Sequence, residues 1–140
     1  MWSYWVFMCS ICQYFRSAGS VCRGYNPGET SIIDVLLKGE ADGSLIIASD
    51  PVSHFPKKAV ENLLKTPIIT IDPEITPTAL MSEVVFPSTY VGIEDEGTAY
   101  RMDHVPLPLK KLVDPKKGSK SDLEIINSII HEVKRINGEV

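Results

Sequence analysis

Several absences narrow the field. The chain has no Gly-x-Gly-x-x-Gly fingerprint, which disfavours a nicotinamide or flavin site of the standard kind. No apolar run approaches the ~18 to 20 residues a membrane span requires. The apolar start, Met1-Trp2-Ser3-Tyr4-Trp5-Val6-Phe7-Met8-Cys9, has no basic segment ahead of it, which speaks against secretion and predicts a cytoplasmic chain with no membrane partner. Lysine and arginine total 14 against 18 acids, a net charge of −4. The densest basic features are the pairs Lys110-Lys111 and Lys116-Lys117, read as solvated loop charges, so nucleic acid is not an expected partner. Three cysteines, an odd number, fit a reducing compartment better than a disulfide framework.

Cys9 and Cys12 have two residues between them and Cys22 lies ten positions further on, a spacing that thiolate ligands to iron or zinc sometimes have. A tetrahedral site needs a fourth ligand, and none of the histidines has finger spacing. The aromatic residues around the pair read as packing, so no metal role is assigned.

What is present is a chain of 140 residues with 44% hydrophobic content, enough for one domain with one core. Asn26-Pro27-Gly28-Glu29 reads as a turn into a helix carrying Ile32, Ile33, Leu36 and Leu37, with Gly39 as its C-cap. Residues 44–49 are short and continuously apolar, the pattern of a parallel strand covered on both faces. Asp50-Pro51 stops that strand. Pro56 opens a helix over 57–65, residues 67–71 form the next buried strand, and Asp72-Pro73 stops it in turn. Thr76 can cap a short helix with Pro77 at its first position, and residues 83–86 are a third strand ended by Pro87. The order predicts an α/β fold, a three-layer Rossmann-like open parallel sheet with a βαβαβ core. Prolines 106, 108 and 115 predict an irregular C-terminal segment, apart from a short extended stretch over 98–105. Ser121-Asp122-Leu123-Glu124 is a capping-box start to a final helix.

Open α/β sheets bind ligands outside the carboxyl ends of their strands. Ser49-Asp50-Pro51 and Asp72-Pro73 occupy two such ends, where acids can accept hydrogen bonds from ribose hydroxyls or a guanine edge. Strand termination by Asp-Pro explains the same residues as well. His54 follows at the inferred mouth. Beyond the third strand, Gly92-Ile93-Glu94-Asp95-Glu96-Gly97-Thr98-Ala99-Tyr100-Arg101-Met102-Asp103 gathers four acids, two glycines and an arginine. Its acids have no apolar setting to tune them for proton transfer, whereas the Arg101 fork beside a Gly-Thr turn suits a phosphate or carboxylate.

Four blocks in order carry a resemblance. They are Arg23-Gly24-Tyr25-Asn26-Pro27-Gly28-Glu29, Ala48-Ser49-Asp50-Pro51-Val52-Ser53-His54-Phe55-Pro56, Ile71-Asp72-Pro73-Glu74-Ile75-Thr76-Pro77-Thr78-Ala79 with Val84-Val85-Phe86-Pro87, and the Gly92 to Asp103 segment. Together they resemble the C-terminal region of the catalytic B subunit of the tungsten or molybdenum formylmethanofuran dehydrogenases, in the molybdopterin oxidoreductase superfamily. The likeness runs from Arg23 onward, so residues 1–22 are expected to be a poorly matched apolar segment and 23–140 a single cofactor domain, a fragment of a larger subunit. The resemblance implies a molybdopterin guanine dinucleotide as cofactor, with tungsten or molybdenum held by parts upstream. It also implies the other dehydrogenase subunits as partners, and a share in interconverting carbon dioxide and formate on the way to N-formylmethanofuran. By position it assigns Ser49, Asp50, Pro51 and His54 to the loop against the dinucleotide and Asp72 to the next strand end. Thr76 and Thr78 fall in a threonine-rich turn, Glu94, Gly97, Thr98 and Arg101 near the pterin, and Asn26 and Gly28 in the same cleft. A module that keeps the fold without the cofactor, serving binding or assembly, is the alternative.

Overall fold

A computed structural model describes residues 32–101 and 103–138, with the backbone alone of strands 5–9 and 16–17. The described residues form two compact units, divided between Phe86 and Pro87.

The first unit is built on a five-stranded sheet of order β2-β1-β3-β4-β5. Its strands are β1 (Trp5–Cys9), β2 (Arg16–Ser17), β3 (Gly43–Ile47), β4 (Ile68–Asp72) and β5 (Val84–Pro87). Strands β1, β3 and β4 run parallel, with Phe7 opposite Leu45 and Ile47 opposite Ile71, while β2 runs antiparallel to β1. The expected βαβαβ order is present in β3, β4 and β5. The sheet extends further than the sequence pattern implied, because the apolar start contributes a parallel strand beside β3 and is more than packing material.

The helices are α1 (Ile32–Lys38), α2 (Pro51–His54), α3 (Lys57–Leu63) and α4 (Pro77–Leu80). The core gathers Ile32, Val35 and Leu36 of α1, Ile46 of β3, Ala59 and Leu63 of α3 and Ile68 of β4. The periodic apolar positions of the two helices therefore meet each other and the sheet. Asn62 ties α3 to the end of α1, its side-chain amide donating to the Leu36 carbonyl at 2.8 Å. Beside it Gly39 turns the chain with φ of +70°, a backbone that relieves the end of α1 and favours glycine. Under α4, the Ser82 hydroxyl donates to the Thr78 carbonyl at 2.8 Å. Its only proton is spent there, so Thr70 must donate to the Ser82 oxygen at 2.6 Å, stitching β4 to the turn beyond α4.

The second unit contains the hairpin β6 (Gly97–Tyr100) and β7 (Pro106–Leu109) and the helix α5 (Asp122–Ile136). The proline-rich stretch expected to be irregular forms β7, antiparallel to β6 with Thr98 opposite Pro108 and Tyr100 opposite Pro106. The two prolines alternate, so both missing N–H groups fall on one side of the strand. In a ladder of two strands the other side can do all the pairing. Ser121 and Glu124 form the expected capping box of α5, the hydroxyl accepting from the Glu124 amide at 3.3 Å and the carboxylate from the Ser121 amide at 3.0 Å. No described helix is long and apolar enough to cross a membrane.

Candidate functional site

The carboxyl ends of β3 and β4 lie side by side, since the Ala48 amide donates to the Ile71 carbonyl at 2.9 Å. This places the loops that begin at Ser49 and at Asp72 on the same end of the sheet. Ala48 has φ of +47°, a left-handed backbone that costs a residue with a side chain roughly 1 to 2 kcal/mol. That conformation turns the chain sharply from β3 into Ser49, which is half-buried, and Asp50.

Asp50 is the hub of this end. Its Oδ1 accepts from the Thr78 amide at 3.1 Å and from the Thr78 hydroxyl, while Oδ2 accepts from the Ser53 hydroxyl. Thr78 Oγ1 in turn accepts from the Val52 amide at 3.1 Å. The first turns of α2 and α4 thus exchange partners, each helix start satisfied by a side chain at or just before the other. Free amides at helix starts need such acceptors. Thr78 is fully buried, so its hydroxyl is a structural staple. Thr76 caps α4 as the sequence suggested, its hydroxyl accepting from the Ala79 amide at 3.2 Å. Pro51, buried, opens α2, where the sequence suggested only a stop.

The Asp50 carbonyl accepts from His54 Nδ1 at 2.7 Å. A carbonyl cannot donate, so Nδ1 carries the proton and neutral His54 offers Nε2 as an acceptor from an exposed ring. Asp72 is buried, with Oδ1 accepting from the Glu74 amide at 2.9 Å, an Asx turn that closes the second loop.

Burial alone would push the Asp50 carboxyl up, but the hydrogen bonds from Ser53 and Thr78 outweigh it and hold the group below the ordinary carboxylate range. A depressed folded pKa stabilises the fold fully above the unfolded value of ~3.9, and that stabilisation is lost as pH falls through the folded value. Urea midpoints measured from pH 6 to pH 2.5 should therefore fall more steeply for the native chain than for Asp50→Asn; parallel curves would show that Asp50 is not the titrating group.

The second unit carries the other set. The loop between Tyr90 and Asp95 is pinned by the Tyr90 carbonyl, which accepts from the Glu94 amide at 2.8 Å. Glu94 closes it with its carboxylate accepting from the Tyr90 amide at 3.2 Å. At Gly97 a Cβ would lie 2.8 Å from Val91 Cγ1, so a larger residue there would have to displace the half-exposed Val91 side chain. Thr98 is exposed on β6. Arg101 follows β6, its amide donating to the Val105 carbonyl at 3.0 Å. Its guanidinium forks onto Asp103, Nε to Oδ1 at 3.0 Å and Nη2 to Oδ2. That partner raises the Arg101 pKa and lowers that of Asp103. Both side chains are more than half exposed, so a stronger anion can replace Asp103 at small cost.

Hydrogen bonding thus joins Asp50, Ser53, His54 and Thr78 in the first unit, and one loop and hairpin carries Glu94, Gly97, Thr98 and Arg101 in the second. Asn26, Gly28, Cys12, Cys22 and the side chain of Cys9 lie outside the described residues. Among the described residues no group of three or more histidines, cysteines and acids is placed to hold a metal ion. Sequence reasoning passed over Ser53 as a residue in its own right, although its place three residues after Asp50 is a usual one for a hydroxyl turning back on an acid.

The chain matches the molybdopterin oxidoreductase family model over residues 5–132, and it belongs to that family. It is 49% identical over 112 residues to the B subunit of the tungsten-containing formylmethanofuran dehydrogenase 2 of Methanocaldococcus jannaschii, a match that covers 80% of this chain and 26% of the relative. It is 46% identical over 109 residues to the protein of the same name from Methanococcus maripaludis, covering 78% of this chain and 25% of that one. The chain therefore spans about a quarter of the length of the curated relatives it matches.

Proposed function

We propose that this chain contributes a molybdopterin guanine dinucleotide half-site to a formylmethanofuran dehydrogenase, as a portion of its B subunit working with the remaining subunits. The observation that carries the reading is the 49% identity, across 80% of the chain, to a B subunit of that enzyme. The donor chemistry present fits such a group. In the first unit Ser49, the exposed Ser53 hydroxyl, His54 Nε2 and the buried Asp72 acid, all on the loops after β3 and β4, are the groups assigned to the ribose and base of a dinucleotide in this reading. Asp50, Pro51, Thr76 and Thr78 act one step back, fixing the loops by the hydrogen bonds and burial described above. In the second unit Thr98 and Arg101 offer a hydroxyl and a fork of donors suited to a pterin edge or a phosphate, with Glu94 and Gly97 shaping the loop that presents them. When bound, the cofactor supplies the redox chemistry, and this chain supplies binding and orientation. The chain alone carries no complete reaction.

Titration calorimetry with guanosine diphosphate tests the reading. Saturable binding is expected, and Asp72→Asn, which keeps an oxygen for the Glu74 amide, should weaken it about tenfold, roughly 1.4 kcal/mol. No heat at millimolar nucleotide would favour the alternative of a module that has kept the fold without the cofactor. The internal satisfaction of Asp50 and Thr78 is the observation on that side, since both already pair within the fold.

A further inference from the structure

Helix α5 buries little of its apolar face. Ile125 is 5% exposed and Ile129 half-buried, so one flank is covered. The adjoining stripe Leu123, Ile126, Ile130 and Val133, spaced by three and four, occupies one side of the helix. Within it Leu123 is 68%, Ile130 47% and Val133 50% exposed while Ile126 is half-buried, and Ile136 at the helix end is 75% exposed. The capping box starts the helix by local hydrogen bonds, and Lys134 and Arg135 complement its carboxyl end, so both ends are set locally. A stripe of β-branched and leucine side chains over about three turns, exposed at three of its four positions, is a surface suited to burial against a partner.

The family match runs through residue 132 and so includes Leu123, Ile126 and Ile130, which makes the helix part of the family's own architecture. The dehydrogenase relatives have about four times the length matched here, so in them the cover can come from the same polypeptide. We propose that the Leu123, Ile126, Ile130 and Val133 stripe of α5 docks into an apolar groove on the part of a formylmethanofuran dehydrogenase B subunit that lies outside the matched region. The inference rests on the function proposed above and names the surface that joins the two parts.

Co-expression tests it, with the full 140-residue chain and the unmatched part of the Methanocaldococcus jannaschii relative carrying separate tags. The two parts should co-elute, and Ile130→Asp with Val133→Asp should abolish co-elution while leaving the far-ultraviolet spectrum and guanosine diphosphate binding of the chain unchanged. Co-elution that survives the double substitution would overturn the α5 assignment and leave the proposed function standing. Failure to recover the second part with the native chain overturns the docking, whereas nucleotide binding judges the cofactor reading separately. A homodimer dissolved by the same substitutions would give the stripe to a second copy and likewise overturn the proposal.

Discussion

Replacing Thr78 by valine is expected to cost the first unit about 2 to 4 kcal/mol. Valine keeps the shape of the fully buried side chain, so the loss is polar and not a cavity. The hydroxyl donates to the charged Asp50 and accepts from the Val52 amide. Removing it forfeits one hydrogen bond to an ion, worth ~1.5 to 3 kcal/mol, and strands an amide whose desolvation costs ~1 to 3 kcal/mol. The two losses overlap, because Asp50 keeps the Thr78 amide and the Ser53 hydroxyl as donors. Serine at the same position retains the hydroxyl and gives up a methyl group, so Thr78→Ser should cost only about 0.8 kcal/mol. Urea denaturation of the three proteins checks the order. A valine variant as stable as the serine variant would mean that the Asp50 to Thr78 exchange contributes nothing to the fold. The valine variant should also lose part of the acid-dependent limb, since one of the bonds that depress the Asp50 pKa is gone.

That exchange marks where sequence reading stopped. Strands β3, β4 and β5 were legible because each is a short apolar run closed by proline, α3 because proline opens it and apolar residues recur at helical spacing, and α4 because Thr76 can cap it with Pro77 at its first position. Strand β1 was not, since Trp5 to Cys9 reads only as apolar and its place beside β3 is set by pairing with residues almost forty positions away. Strand β7 was hidden by Pro106 and Pro108, whose alternation is harmless only because a two-stranded ladder leaves one side free. Helix α2 is a single turn whose start looks like a strand stop. At the site, the residue types and their places at strand ends could be read along the chain, but their roles could not. Asp50 and Thr78 are 28 residues apart, and no local pattern distinguishes an acid waiting for a ribose from an acid holding the start of a neighbouring helix. Arg101 was read as a fork for a phosphate or carboxylate, and its pairing with Asp103, two residues on, emerges only from the structure.

Leu63→Ala should be costlier still, about 2 to 5 kcal/mol. Leu63 is fully buried in the cluster that also holds Leu36, Ile46, Ala59 and Ile68, where α1 and α3 meet the sheet. Ala59, one turn earlier on α3, is already small, so the shortened side chain leaves a void that its own helix cannot fill. The adjacent Asn62 holds α3 against the end of α1 through the Leu36 carbonyl, which resists the inward shift that would collapse the cavity. The cost therefore belongs in the upper part of the range. Leu63→Met, close in volume and flexible, should lose less than about 1.5 kcal/mol. The two kinds of defect separate by pH: the cavity lowers stability equally at pH 6 and pH 3, while loss of the Thr78 hydroxyl matters most where Asp50 is ionised. If Leu63→Ala instead changed the acid limb, the packing of α3 would be setting the geometry around Asp50. Ile46 and Ile68 are the sheet residues through which such an effect would travel, because they line the same core on the strands that carry the Ser49 and Asp72 loops.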